Sequence, residues 1–265
     1  MTQGLAGRRI VVTRPAEQAE SLCQAIVARG GEALRAPLIA IEAADDAATR
    51  HELAALALDL RSFDLVFFVS ANAVQHGLSA LRLASEWPSH LGVATVGPGS
   101  AAALHAAGFE RVIAPTAQFD SEAVLALPEF APDRVRGRSI LVLRGDGGRE
   151  LLADALRERG ARVRLQTCYR RRMLAPDLPE LLAARPDALV VSSSEALRSF
   201  ERQLAANVDA AVLRLLPLFA PHARIAALAE SLGFPVVFTT EGADAGIIAG
   251  LERYFASGAG AASPD

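Results

Sequence analysis

RSILVLRGDGGRELLADALRERGARVRLQTCYRRR, from Arg138 to Arg172, decides the fold, because it repeats the plan of RRIVVTRPAEQAESLCQAIVARGGEALRAPLIAI at Arg8 to Ile41. Each copy reads as strand, turn, helix, strand. An apolar run (Ile10 to Val12, Ile140 to Val142) leads to an arginine, Arg14 or Arg144, and the helical pattern that follows is closed by glycine at Gly30-Gly31 and at Gly160. Glycine there predicts left-handed helix caps, a conformation that costs least without a Cβ. The duplication extends outward from these units. DLVFFVSANAVQHGLSAL at Asp64 to Leu81 is echoed by DALVVSSSEALRSFERQL at Asp187 to Leu204, and GVATVGPGSAAALHAAGFERVIAP at Gly92 to Pro115 by LPLFAPHARIAALAESLGFPVVFTT at Leu216 to Thr240. DSEAVLAL at Asp120 matches ADAGIIAGL at Ala243. Two copies are too few for a solenoid, so the chain reads as two similar α/β domains.

Alternating strands and helices predict parallel sheets with helices on both faces, and in such folds ligands sit beyond the carboxyl ends of the strands. In order, the pattern predicts a helix from about Thr49 to Leu60, a strand at Leu65, a helix from Ala71 and a strand at Val93. A helix from Gly99 or Ser100 and a short strand at Arg111 to Ala114 follow. FAPDRVRGRS at Phe130 to Ser139 reads as a surface connection to the second copy, and ASGAGAASPD at the end as a frayed tail.

Composition bounds the chemistry. The 265 residues are 51% hydrophobic and 22% charged, a globular balance able to bury one or two cores. No apolar run reaches the ~20 residues of a membrane helix, and the opening MTQGLAG lacks the charged start and apolar segment of a secretory signal, so the expectation is a cytoplasmic protein. Cys23 and Cys168 form no pairing pattern, and His51, His76, His90, His105 and His222 show no metal spacing. The chain has no lysine, which excludes a Walker A lysine, a Schiff-base lysine and a lysine base. A net charge of -3 with 5% aromatics gives no footprint for nucleic acid.

Each strand-to-helix junction is a candidate site. Gly97-x-Gly99-x-x-Ala102 partly fits a dinucleotide fingerprint, but Pro98 is unusual inside it and no acidic residue ends the next strand. A helix start facing an anion, with Gly97, Gly99 and Ser100, is the favoured reading over a nicotinamide site. Ser70-Ala71-Asn72 and Ser192-Ser193-Ser194 also lead from apolar strands into helices, and their hydroxyls and exposed N–H groups suit carboxylates. Ser192-x-x-Glu195 has capping-box spacing, which makes Ser192 the expected helix cap; Ser70, Asn72 and Ser194 are weighed equally as substrate contacts. Arg144 and Gly145 open a glycine-rich turn that also holds Arg149; it is either a solvated turn in which Arg149 pairs with nearby acids or a loop that brings guanidinium to an acidic ligand. Tyr169 reads either as a half-buried strand residue with its hydroxyl in water, which spacing alone favours, or as a neutral donor to a leaving oxygen.

VVTRP at Val11, FVSANAV at Phe68, TVGPGSAAAL at Thr95, FDSEAVLALP at Phe119, RGDGGRELLADAL at Arg144, CYRR at Cys168 and GADAGIIAGL near the end together resemble the uroporphyrinogen-III synthase family over nearly the whole chain. The resemblance implies two α/β domains joined by a two-stranded connector, with the C-terminal part completing the domain that holds the N-terminus. It divides the chain into residues 1–37 plus 170–256, residues 38–169, and a disordered tail at 257–265. The repeat alone does not imply this exchange.

It further implies a cofactor-free and metal-free cyclising lyase that closes hydroxymethylbilane with loss of water and inversion of the terminal pyrrole, through a spiro intermediate, to uroporphyrinogen III. Tyr169 would aid departure of the hydroxyl. Arg14, Ser70, Ala71, Asn72, Gly97, Gly99, Ser100, Arg144, Gly145, Ser192, Ser193, Ser194, His222 and Ala223 would contact the substrate, an anion held in an interdomain cleft. Where many members carry Gly-Pro-Thr-Thr, this chain has Ala220-Pro221-His222-Ala223, which offers backbone N–H donors in place of a hydroxyl. A monomer is implied, with no nucleic-acid or membrane partner, and transient contact with the preceding pathway enzyme stays open. The competing class is a non-catalytic two-domain module that binds an acidic tetrapyrrole or another small anion; a nucleotide-dependent transferase is disfavoured by the missing lysine and ribose acid.

Overall fold

The computed structural model describes residues 4–81, 87–147 and 150–257. Arg149 and most of the expected tail lie outside the described residues. In chain order the elements are β1 (Arg9–Val12), α1 (Ala16–Val27), β2 (Glu32–Arg35), β3 (Ile39–Ala43), α2 (Ala47–Leu58), β4 (Leu65–Phe68), α3 (Ala71–Leu81) and β5 (Gly92–Thr95). Then come α4 (Pro98–Ala106), α5 (Ser121–Leu125), α6 (Pro132–Val135), β6 (Ser139–Gly145), α7 (Leu151–Glu158) and β7 (Arg162–Met173). The rest is α8 (Leu178–Ala183), β8 (Ala188–Val190), α9 (Ser194–Ala205), β9 (Leu218–Ala220), α10 (Ala223–Ser231), β10 (Val237–Thr239) and α11 (Ala243–Ala256). The chain divides into one unit of Met1–Ala40 with Arg172–Asp265 and another of Ile41–Arg171.

The first unit is built on the sheet β10-β9-β8-β1-β2, parallel throughout. Ile10 and Val12 on one face pack with Leu22 and Ile26 of α1 and Ile247, Ile248 and Leu251 of α11. Val11 and Leu189, which alternation turns to the other face, are equally buried. The second unit has the order β3-β7-β6-β4-β5. Strands β7, β6, β4 and β5 are parallel, whereas Leu174 N–H donates to Leu38 O and Ala44 N–H to Cys168 O, so β3 runs antiparallel to β7, and these are the two strands along which the chain passes from one unit to the other. Val66, Phe68, Leu141 and Leu143 face Leu53 and Leu56 of α2, Val74 and Leu78 of α3 and Leu104 of α4. Leu65, Phe67, Ile140 and Val142 face Val124, Phe130, Val135, Leu152 and Leu156.

The repeat is visible bond by bond. Gly30 and Gly160 adopt φ of 81° and 89°, and Gly7 N–H donates to Gly30 O as Gly137 N–H does to Gly160 O. Glu32 N–H donates to Arg8 O and Arg162 N–H to Arg138 O, each at 2.8 Å. An aspartate clamps the amino edge of each sheet: Asp187 accepts from Arg9 N–H and Asp64 from Ser139 N–H, both at 2.8 Å. Asp187 also accepts from Arg8 Nη1 at 3.1 Å. Charge-assisted bonds of this kind contribute about 1.5–3 kcal/mol, at the lower end here because the pair is part-exposed. Asp187→Ala is expected to lower stability by about 1–2 kcal/mol and Asp187→Asn by less, since an amide oxygen still accepts from Arg9. Urea unfolding checks this, and an unchanged midpoint for the alanine variant refutes it.

The structure corrects several expectations. The expected strand at Arg111 to Ala114 is reduced to an isolated bridge between Ala94 and Ile113, because Pro115 ends it after one ladder contact. The stretch from Phe130 is not merely a surface connection: Phe130 and Val135 are buried in the core. Helix α2 starts at Ala47, two residues earlier than expected, because Asp46 accepts from Thr49 N–H and caps it.

Candidate functional site

Parallel strands and helix N-termini place the polar junction residues at the carboxyl edges of the sheets. In the first unit the neighbouring strands β9, β8 and β1 end in Pro221-His222-Ala223, Ser192-Ser193-Ser194 and Thr13-Arg14. Thr13 Oγ donates to Val190 O at 2.8 Å and ties the ends of β1 and β8. Ser193, not Ser192, caps α9, accepting from Ala196 N–H at 3.3 Å. Helix α9 begins at Ser194, so the third helical position is Ala196 and Glu195 cannot complete a capping box. The buried Ser194 Oγ has no hydrogen-bond partner among the described residues. His222 is the exposed residue before α10 and makes no side-chain cap.

Arg14 is largely buried, its Nη1 donating to Asp244 Oδ1 at 2.5 Å. Ser21 Oγ donates to the other Asp244 oxygen. Burial pulls the Asp244 carboxyl upward, but the hydrogen bonds from Ser21 and Arg14 outweigh it and hold the group below the usual carboxylate range. Asp244 lies in the first turn of α11, next to the opening residue Ala243, whose φ of 64° is rare for a residue with a Cβ. Its partnership with Arg14 spans 230 positions, beyond any local signal.

In the second unit β4, β5 and β6 end in Ser70, Gly97 and Arg144-Gly145. Thr95 Oγ donates to Phe68 O at 2.7 Å, the counterpart of the Thr13 tie. Gly97 precedes α4, with Pro98 at its first position, and Gly99 is open while Ser100 is buried. Ser70 Oγ accepts from Ala73 N–H at 3.1 Å, which caps α3; Ala71 is exposed and Asn72 half-buried beside it. Arg144 pairs with Glu150 at 3.1 Å and also donates to Gly147 O.

Tyr169 departs from the half-buried reading: it is only 1% exposed. Its hydroxyl lies 3.1 Å from Ser70 Oγ and accepts from Arg171 Nη2 at 3.3 Å. The ring stacks on His76, centroids 6.0 Å apart. A register shift puts Arg144 opposite Thr167 but Gly145 opposite Tyr169, leaving Cys168 as the extra residue of a bulge. Neighbours on a regular strand face opposite ways, yet here Cys168 and Tyr169 join the same core cluster. Burial pushes the Cys168 thiol up to about 12, so it packs as a neutral group and is no nucleophile. Tyr169, Arg171, Arg144, Gly145, Gly147 and Ser121 help line a cleft of about 210 Å³. Arg171, Asp146 and Asp244 were missed by the sequence reading; the run of arginines after Tyr169 was the one available hint.

Fold and site define a two-domain α/β protein whose polar groups gather at the carboxyl edges of its two sheets, in a chain without lysine. A family model described as uroporphyrinogen-III synthase HemD matches residues 20–248. The chain is 30% identical over 240 residues to the uroporphyrinogen-III synthase of Escherichia coli strain K12, covering 89% of this chain and 96% of that protein. It is 37% identical over 163 residues to that of Salmonella typhimurium, covering 61% and 64%. Among solved structures, a mutant uroporphyrinogen III synthase from the extremely thermophilic bacterium Thermus thermophilus is similar with a TM-score of 0.56 over 95% of this chain and 100% of that one, at 18% identity, a likeness of fold alone. The chain belongs to the uroporphyrinogen-III synthase family. No described helix is long and apolar enough to cross a membrane.

Proposed function

We propose that this protein converts hydroxymethylbilane to uroporphyrinogen III through a spiro intermediate, without a metal or organic cofactor. The observation that carries the chemistry is the buried Tyr169 hydroxyl between Ser70 and Arg171 at the carboxyl edge of its sheet. Tyr169 gives its proton to the departing hydroxyl, which leaves as water, and a phenolate and a cationic azafulvene result. Attack at the free end carbon of the last pyrrole would give the symmetric isomer, which needs no protein. Attack by the substituted carbon gives the spiro species, which breaks and rejoins with that ring inverted. The proton lost when the pyrrole regains aromaticity returns to Tyr169, so one water is the net loss.

Selecting the second closure is a positioning task, and holding reacting atoms in place supplies several kcal/mol of bias (up to ~7–11). The substrate is a polyanion and the chain carries a net charge of -3, so attraction must be local. Helix starts at Ala71 and Pro98, on the unit that holds Tyr169, supply backbone N–H groups for the substrate carboxylates. Arg14 and Arg144 are each paired with an internal acid, Asp244 and Glu150, which holds each guanidinium at the carboxyl edge of its own sheet. Incubation with freshly made hydroxymethylbilane, oxidation, and chromatography of the porphyrins is expected to give the inverted isomer at a rate proportional to protein. Only the symmetric isomer at every protein concentration would overturn the reading.

A further inference from the structure

Resting on that reading, we infer that Arg171 is the positioning residue of the Tyr169 hydroxyl: it acts on the reaction through the tyrosine and not by gripping the substrate. Its guanidinium donates to the phenol oxygen at 3.3 Å and lies 5.5 Å from the ring centroid. A cation that donates to the phenol oxygen fixes where the hydroxyl points and lies beside the negative charge that develops there in the transition state. Ser70 Oγ, at 3.1 Å, is the second group on the same oxygen. It also accepts from Ala73 N–H, so its own proton is free to point at the phenolate. The proton leaves Tyr169 with the substrate hydroxyl as water and returns from the carbon that regains aromaticity; Arg171 and Ser70 keep theirs.

Arg171 owes its place to a latch rather than to its own side chain. Its backbone N–H donates to Asp146 Oδ1 at 3.0 Å, while Asp146 N–H donates to Tyr169 O at 3.1 Å. This reciprocal pair binds the end of β7 to the turn after β6, directly past the bulge that turns Tyr169 inward. Gly145 permits the fit, since a Cβ there would stand 2.6 Å from the ring carbons Cε2 and Cζ. An arginine two residues after a tyrosine on a regular strand would share its face but reach past it; the latch and the bulge bring the guanidinium back over the ring.

The test is a double-mutant cycle: Arg171→Met and Arg171→Lys, each in the parent and in Tyr169→Phe, with kcat and KM measured for formation of the inverted isomer. Expected are a fall in kcat of about tenfold for Arg171→Met with KM changed less than about twofold, partial recovery in Arg171→Lys, and an effect of less than about twofold in the Tyr169→Phe background. An effect of Arg171→Met that appears mainly in KM, or is as large without the tyrosine hydroxyl as with it, makes Arg171 a substrate contact and overturns the inference. Unchanged kcat in Tyr169→Phe alone would instead remove the tyrosine from the mechanism. Circular dichroism and unfolding midpoints of all variants identify a folding loss, and Arg171→Lys carries the test should Arg171→Met fail to fold.

Discussion

Tyr169→Phe is expected to lower kcat by about tenfold or more, as loss of a general acid does, while the protein stays folded. Phenylalanine keeps the ring against His76 and the backbone of Gly145 and removes only the hydroxyl. Ser70 then retains its bond from Ala73 N–H, and Arg171, an exposed residue, regains water. No buried polar group is stranded, so the stability change should stay within about 1 kcal/mol. The symmetric isomer forms without help, so the assay must follow the inverted isomer separately. An unchanged rate of that isomer would exclude Tyr169 as the proton donor.

Gly145→Val is expected to produce a loss of the same order by a different route. Its first added carbon falls 2.6 Å from Cε2 and Cζ of Tyr169 and 3.0 Å from the hydroxyl, closer than nonbonded carbons approach. Either the ring swings out of its seat or the β6 edge shifts, and both separate the hydroxyl from Ser70 and Arg171. Overpacking of this kind costs about 1–3 kcal/mol, so the variant should fold with a lowered urea midpoint and a kcat reduced about tenfold or more. Parental kcat with parental stability would show that the tyrosine ring has room that this geometry denies it. The two variants separate causes: one deletes the hydroxyl in place, the other displaces it.

The resemblance and the repeat made the strand and helix order legible, together with the left-handed glycines and the polar junctions. These are local signals: apolar periodicity, capping chemistry and glycine placement each act over a few residues. Arg14, Ser70 and Ser192 to Ser194 could be placed at strand ends for that reason. The cap on α9 was misplaced by one residue because hydroxyls at 192, 193 and 194 are alike in sequence, and only the point where β8 stops selects among them.

What the sequence determined by itself was the duplicated α/β plan, the exclusion of lysine chemistry and a set of candidate groups at the carboxyl edges. Tertiary structure alone decided what those groups do to one another. Strict alternation gives Cys168 and Tyr169 opposite faces; one extra residue in the pairing with β6 removes that rule, and pairing register is a property of two distant strands rather than of either. Ser70 and Tyr169 meet across 99 positions, and Arg14 and Asp244 across 230. Contacts of that separation carry no local pattern, because they exist only once both sheets have closed around their cores.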